Sequence, residues 1–235
     1  MRKRPIAIIG GMGPEASVYI YNLLIKQSID LFGAVNNEDF PEIIIHSMPV
    51  PDFISSDERQ DEALEMLKKR VTEINKLDPL FIAIACNTAH ILLNNLQKAS
   101  HAPFISMIDE TVKVVNRDAL KSVGLLGTPS TIKSNIYQDA FKKINIPTIT
   151  VNGKAMDKLE KIIRNVIAGK IDHKDQLTLK QMSDELVDKG AQAIVLGCTE
   201  LPLLFPKKYK KKVYNSSEIL CEVMLKKYYN QKDQD

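Results

Sequence analysis

Two apolar runs, each closing on a cysteine, constrain this chain more than any other feature. The first is Phe81-Ile82-Ala83-Ile84-Ala85-Cys86, followed by Asn87-Thr88-Ala89-His90. The second is Ala193-Ile194-Val195-Leu196-Gly197-Cys198, followed by Thr199-Glu200-Leu201-Pro202. A short apolar run without alternation reads as a strand buried on both faces. Open α/β sheets bind ligands beyond the carboxyl ends of such strands. Two cysteines placed alike in two similar halves are therefore expected to face one another across a cleft.

The rest of the chain supports two halves. Pro5 to Ile9 is a short β-rich run that ends at Gly10-Gly11-Met12-Gly13-Pro14. Glycine lets the backbone turn tightly, and Pro14 suits the first turn of a helix. A helix is expected from Pro14 to Phe32, with Val18, Tyr21, Leu24, Ile25 and Leu31 near one face and Gly33 as its stop. A strand–glycine loop–helix unit offers free N–H groups to an anion. The loop lacks the G-x-G-x-x-G spacing of a dinucleotide site and the lysine of a P-loop. A small carboxylate or a tight packing turn remains.

Glu42 to Met48 contains Ile43-Ile44-Ile45 and reads as a second buried strand, and Pro49-Val50-Pro51-Asp52-Phe53 follows as a stiff loop. Asp52 falls on the expected ligand side. Ser55 and Glu58 have capping-box spacing, which predicts a helix from there to about Leu77. Its apolar stripe is Leu64, Leu67, Val71 and Ile74. Helix, strand and helix follow the first cysteine run through Ile91–Leu96, Phe104–Met107 and Thr111–Leu120. The pattern restarts at Ser122-Val123-Gly124-Leu125-Leu126-Gly127, with Thr128-Pro129-Ser130-Thr131 entering a helix to about Ile144. A strand at Pro147–Val151 and helices near Met156–Ala168 and Gln176–Asp188 lead to the second cysteine run. A strand at Lys211–Tyr214 and a helix at Ser216–Tyr229 close the chain, and the tail from Asn230 is expected to fray. Repeated β-then-α order implies parallel sheets with right-handed crossovers. The expected fold class is α/β, with two pseudo-symmetric domains and the site in the cleft between them. The first domain takes 1–108 plus 212–235, and the second takes 109–211.

Composition narrows the class of function. The 235 residues suffice for one large domain or two small ones, and 44% apolar with 26% charged residues argues against extensive disorder. A net charge of +3 is too slight to mark a nucleic-acid or membrane surface. The basic start Met1-Arg2-Lys3-Arg4 resembles a signal peptide, but the apolar run at Ile6–Ile9 is too short for one. No segment approaches the roughly 20 apolar residues of a membrane span. Three cysteines without a close pair point to a reducing compartment, so the expected location is the cytoplasm. His46, His101 and His173 show no ligand spacing, and no metal site is expected. Cys221 lies among Ile219, Leu220, Val223 and Met224 and reads as core. His90, one turn after Cys86, either polarises the thiol or packs the helix.

A thiol at a helix N-terminus is stabilised as a thiolate by backbone N–H groups and the dipole. Two such thiols on opposite sides of one carbon can act as general base and general acid. That pair inverts a stereocentre without a cofactor. Gly10–Pro14, Cys86-Asn87-Thr88, Gly127-Thr128 with Thr131, and Gly197-Cys198-Thr199-Glu200 together resemble the aspartate/glutamate racemase family, in its aspartate racemase branch. The resemblance implies a cofactor-independent racemase of two pseudo-symmetric α/β domains, a homodimer, acting on a small amino-acid substrate. It implies Cys86 and Cys198 as catalytic thiols. It implies that Asn87, Thr88, Thr128 and Thr199 hold the α-carboxylate and ammonium, with Met12 and Gly13 lining the site. Lys158 resembles a lysine directed at the distal carboxylate, and Glu200 either orients Cys198 or binds the ammonium. One position departs. Aspartate-specific members often carry Asp-Arg after strand two, whereas Asp52 here precedes Phe53. Phenylalanine cannot pair with a distal carboxylate, so Arg59 or Lys158 must compensate or the pocket prefers another side chain. An isomerase acting on a hydantoin or maleate, and a thiol redox sensor or amino-acid binder, are the rival readings.

Overall fold

The computed structural model describes residues 4–56 and 58–230. Met1 to Lys3 and the tail beyond Asn230 lie outside the described residues.

The four strands of the first half are β1 (Ile6–Gly10), β2 (Ile43–Ser47), β3 (Phe81–Ile84) and β4 (Phe104–Ile105). Those of the second are β5 (Val123–Gly127), β6 (Thr148–Thr150), β7 (Ala193–Gly197) and β8 (Lys212–Asn215). They form two four-stranded sheets, ordered β2-β1-β3-β4 and β6-β5-β7-β8. Every pairing is parallel. The two orders are the same arrangement used twice, so the two-domain α/β expectation holds. The strand before each cysteine, β3 or β7, sits third in its sheet, beside the strand that opens its half.

Burial explains the apolar runs. β1, β3, β5 and β7 are buried along their whole length. β2, expected to be buried as well, is only half-buried, because it is the outer strand of its sheet. Helices cover both faces, as continuous apolar strands require. Ile6, Ile8, Ile9, Ile82 and Ile84 are wholly buried. Each contributes about 1.5–3 kcal/mol of apolar transfer.

Helix α1 (Pro14–Phe32) ends at Gly33, whose φ of 70° is the left-handed stop expected of it. Its inner face is not the expected one. The buried residues are Ala16, Ser17, Ile20, Leu23, Leu24 and Ser28, while Val18, Tyr21 and Leu31 are exposed. The cause is close approach. A Cβ on Gly10 would lie 2.4 Å from Ser17 Oγ, so a small side chain must face β1 there. Gly11, at φ +91°, is held in turn because a Cβ would meet the Met48 backbone at 2.4 Å.

The Ser55–Glu58 capping box does not form. Helix α2 (Gln60–Asn75) starts later, after Arg59, and Ser55 Oγ donates instead to Glu160 Oε1 at 2.5 Å. The predicted stripe of α2 is buried as expected. The short helix α3 (Leu93–Lys98) lies beside it, and α4 (Met107–Arg117) packs towards the second sheet. The single helix expected after Thr128 is two, α5 (Pro129–Lys133) and α6 (Ile136–Lys142), because Asn135 turns left-handed between them at φ 56°. α7 (Gly153–Ile167), α8 (His173–Asp188) and the one-turn α9 (Leu201–Leu204) complete the second half.

The final helix, α10 (Ser216–Tyr229), packs Leu220, Cys221, Met224 and Leu225 into the core of the first sheet. The expected division placed 212–235 with the first domain. The strand of that segment hydrogen-bonds to β7 in the second sheet, and its helix returns to the first. No described helix is long and apolar enough to cross a membrane.

Candidate active site

β3 stops two residues before Cys86, and a tight 3-10 turn at Thr88–Leu92 follows. The first N–H groups of this turn, from Thr88 and Ala89, point at the thiol and favour its ionised form, as does the Thr88 hydroxyl. Burial outweighs them and pushes the Cys86 thiol up to about 12, with the Glu200 carboxylate adding to the rise. His90 does not touch the thiol. Its Nε2 accepts the Met107 N–H at 3.0 Å, so Nδ1 carries the proton and donates to the Cys86 carbonyl at 2.8 Å. His90 is thus a neutral imidazole that ties the strand end to α4. Of the two readings of this histidine, packing is the one the structure has.

Cys198 follows β7 directly. Its thiol donates to Glu200 Oε2 at 3.0 Å, and the Thr199 hydroxyl donates to the same oxygen at 3.0 Å. Glu200 Oε1 accepts the Gly13 N–H at 3.1 Å. A carboxylate from the second half therefore occupies the N-terminus of α1 in the first, where the helix dipole favours negative charge. The glycine loop does bind a carboxylate group, and the group is the protein's own Glu200. Burial raises the Cys198 thiol well above its ordinary value, and the charge of Glu200 and its hydrogen bond raise it further. A charge on Cys86 also raises Cys198, and Glu200 raises both. The two thiols and Glu200 form one electrostatic group.

Three threonines join the halves beside them. Thr88 Oγ1 lies 2.9 Å from Thr128 Oγ1 and 3.0 Å from Thr131 Oγ1, and those two are 2.9 Å apart. Thr128 also caps α5, accepting the Thr131 N–H at 3.1 Å. Asn87 is held at both ends of its amide: Tyr137 donates to its Oδ1 at 2.6 Å, and its Nδ2 donates to Ser216 Oγ at 3.1 Å. Ser216 in turn donates to the Leu196 carbonyl at 2.8 Å.

A cavity of about 210 Å³ opens beside Cys86 and Thr88. Gly11 to Pro14 and the Val50–Ile54 loop line it from the first half, with Arg164 and Ile167 of α7 from the second. The Val50–Ile54 loop is anchored across the cleft. Arg164 donates to Asp52 at 2.7 Å, to Glu160 at 2.8 Å and to Ser55 at 2.6 Å, and the Ser130 N–H donates to the Ile54 carbonyl at 2.9 Å. Met12, Gly13, Asp52 and Thr88 thus stand at the cavity. Asn87, Thr128, Thr131, Cys198, Thr199 and Glu200 are buried and are not part of the lining. Lys158 is exposed on α7 and is not part of the lining, and Arg59 pairs with Glu62 in solvent.

Residues 9–223 match the family model described as Asp/Glu/Hydantoin racemase. The chain belongs to the Asp/Glu/hydantoin racemase family. The broad specificity amino-acid racemase of Bacillus subtilis is 31% identical over 202 residues, covering 83% of this chain and 85% of the relative. The solved structure of Picrophilus torridus aspartate racemase matches at a TM-score of 0.82 and 26% identity, covering 96% of this chain and 94% of that one. An aspartate racemase homologue from Pyrococcus horikoshii matches at 0.79 and 24%, covering 97% and 100%, a likeness of fold. The family resemblance carried by the paired cysteine motifs is borne out. Three groups around this racemase-family site were not singled out from sequence. Tyr137 and Ser216 meet Asn87 from 50 and 129 residues away, and no local pattern marks them. Arg164 sits on the polar face of α7, where its charge reads as solvated.

Proposed function

We propose that this chain is a cofactor-independent amino-acid racemase in which Cys86 and Cys198 work as a two-base pair. The observation that carries the reading is the placement of the two thiols. Each follows the third strand of its sheet, and both share the field of Glu200. One thiolate removes the Cα proton while the other thiol delivers a proton to the opposite face. The bond to hydrogen breaks on one side and reforms on the other, and the two cysteines exchange roles.

Burial holds both thiols neutral before substrate arrives. A bound α-ammonium beside Glu200 would offset the charge that raises them, and Glu200 is already hydrogen-bonded to the Cys198 proton. The Thr88 and Ala89 N–H groups would then hold the Cys86 thiolate. Thr88 is the hydroxyl on the cavity lining and the one at hand for the α-carboxylate, whose developing negative charge needs a donor fixed in advance, whereas the Thr199 proton is already given to Glu200. Cys86→Ser and Cys198→Ser are the test. Each should lower racemisation, followed as loss of optical rotation, at least about 100-fold with unchanged circular dichroism. Full racemisation in either variant would end the two-base reading.

Reactive thiols suit a reducing compartment, and we place the protein in the cytoplasm. We also propose a homodimer. Its support is an apolar stripe left open on α1, with Val18 56%, Tyr21 43% and Ile29 49% exposed. Light scattering coupled to gel filtration should give twice the chain mass. A monomer at micromolar concentration would refute it.

A further inference from the structure

The side-chain end of the cleft has an unusual charge balance. Its walls are apolar: Met12, Val50, Phe53, Ile54 and Ile167 face the cavity. Among the described residues, the one cation lining it is Arg164. That guanidinium is already shared between two carboxylates, Asp52 at 2.7 Å and Glu160 at 2.8 Å. Asp52 is itself fixed, because its other oxygen accepts the Ile54 N–H at 2.9 Å. Glu160 is fixed by Ser55 at 2.5 Å. The cation on the lining is therefore held between two carboxylates, Asp52 on the lining and Glu160 behind it, and the three groups together carry one negative charge in excess.

We infer that the site takes amino acids whose side chain bears no negative charge, and that the Asp52–Arg164–Glu160 cluster rejects aspartate and glutamate. This rests on the racemase reading and names its substrate class. A second carboxylate entering the cavity would leave water for apolar walls, face the fixed Asp52 carboxylate and find Arg164 already paired. A buried charge without a partner is rejected far more strongly than a misfit of one methylene. An aliphatic, aromatic or cationic side chain meets no such penalty, because its carbon body packs on Phe53, Val50 and Ile167.

The experiment is Cα deuterium exchange followed by proton NMR, with leucine, methionine, phenylalanine, lysine, arginine, aspartate and glutamate. The best of the first five should exceed aspartate and glutamate by about 100-fold in kcat/KM. The double variant Asp52→Asn/Glu160→Gln releases Arg164 and should narrow that ratio by about tenfold. Both side chains are partly exposed, Asp52 at 49% and Glu160 at 24%, and circular dichroism checks that the variant folds. Aspartate or glutamate turning over as fast as the best of the others would overturn the inference and leave the racemase reading standing. So would an unchanged ratio in the folded double variant. Exchange with none of the seven would overturn the racemase reading, and the inference with it.

Discussion

His90 sets up a pH test that reads the anchoring of the Cys86 strand end directly. The ring is 6% exposed, and both nitrogens are used, one accepting from Met107 and one donating to the Cys86 carbonyl. Protonation would place an Nε2–H against the Met107 N–H, and burial lowers the imidazole to about 4. Hydrogen bonds to backbone and the Asp109 charge offset only part of that burial effect. In the unfolded chain the value is about 6.5. The unfolded state therefore takes up a proton first as the solution is acidified. Stability from this residue is complete above about pH 6.5, falls between 6.5 and 4, and is level below 4. The gap is worth about 3 kcal/mol, since each pKa unit is about 1.4 kcal/mol. His90→Gln is the matched variant, because an amide can donate and accept in the same two directions without titrating. Urea unfolding of both proteins at pH 7.5, 6, 5 and 4 gives the comparison. Groups common to both, including His46, which burial also lowers, cancel in the difference. The variant should gain about 3 kcal/mol on wild type between pH 7.5 and 4. A constant difference across that range would show that His90 is not held neutral by its burial.

Two further changes probe the site. Glu200→Gln removes the charge that raises both thiols, so alkylation of Cys86 and Cys198 by iodoacetamide at fixed pH should speed up, in the order of how strongly each feels Glu200. Slower alkylation of both would contradict the sign of that field. Tyr137→Phe deletes a wholly buried hydroxyl and leaves Asn87 Oδ1 without its donor. The expected cost is about 1–3 kcal/mol in urea unfolding, with lost exchange activity beyond what stability explains. Wild-type values of both would mean that Asn87 does not need this tether.

Local sequence carried the parts of this fold that depend on neighbours in the chain. The apolar runs of β1, β3, β5 and β7, the span of α1 and its glycine stop all follow from residues within one element. The inner face of α1 does not. Apolar residues lie at helical spacing on two sides of it, and only the approach of Gly10 to Ser17 decides which side turns inward. The Ser55–Glu58 capping pattern failed for a related reason. Ser55 has a better partner in Glu160, 105 residues on, than in its own helix. The two cysteines were legible because a strand end exposes its own chemistry. The Glu200–Gly13 bond spans 187 residues, and no spacing within either motif foretells it. It also changes what the glycine loop is for, from holding a ligand's carboxylate to holding the protein's.

The two halves differ from the first residue after each cysteine, Asn87 against Thr199, and at the second Thr88 stands in one and Glu200 in the other. For a racemase this asymmetry has a fixed limit. A substrate and its mirror image have equal free energies in water, so no arrangement of side chains can move their equilibrium from one. The Haldane relation then requires kcat/KM to be the same in both directions. Whatever Glu200 does to make Cys198 a different acid from Cys86 can appear only as paired changes. A faster turnover of one enantiomer must be matched by its weaker apparent binding.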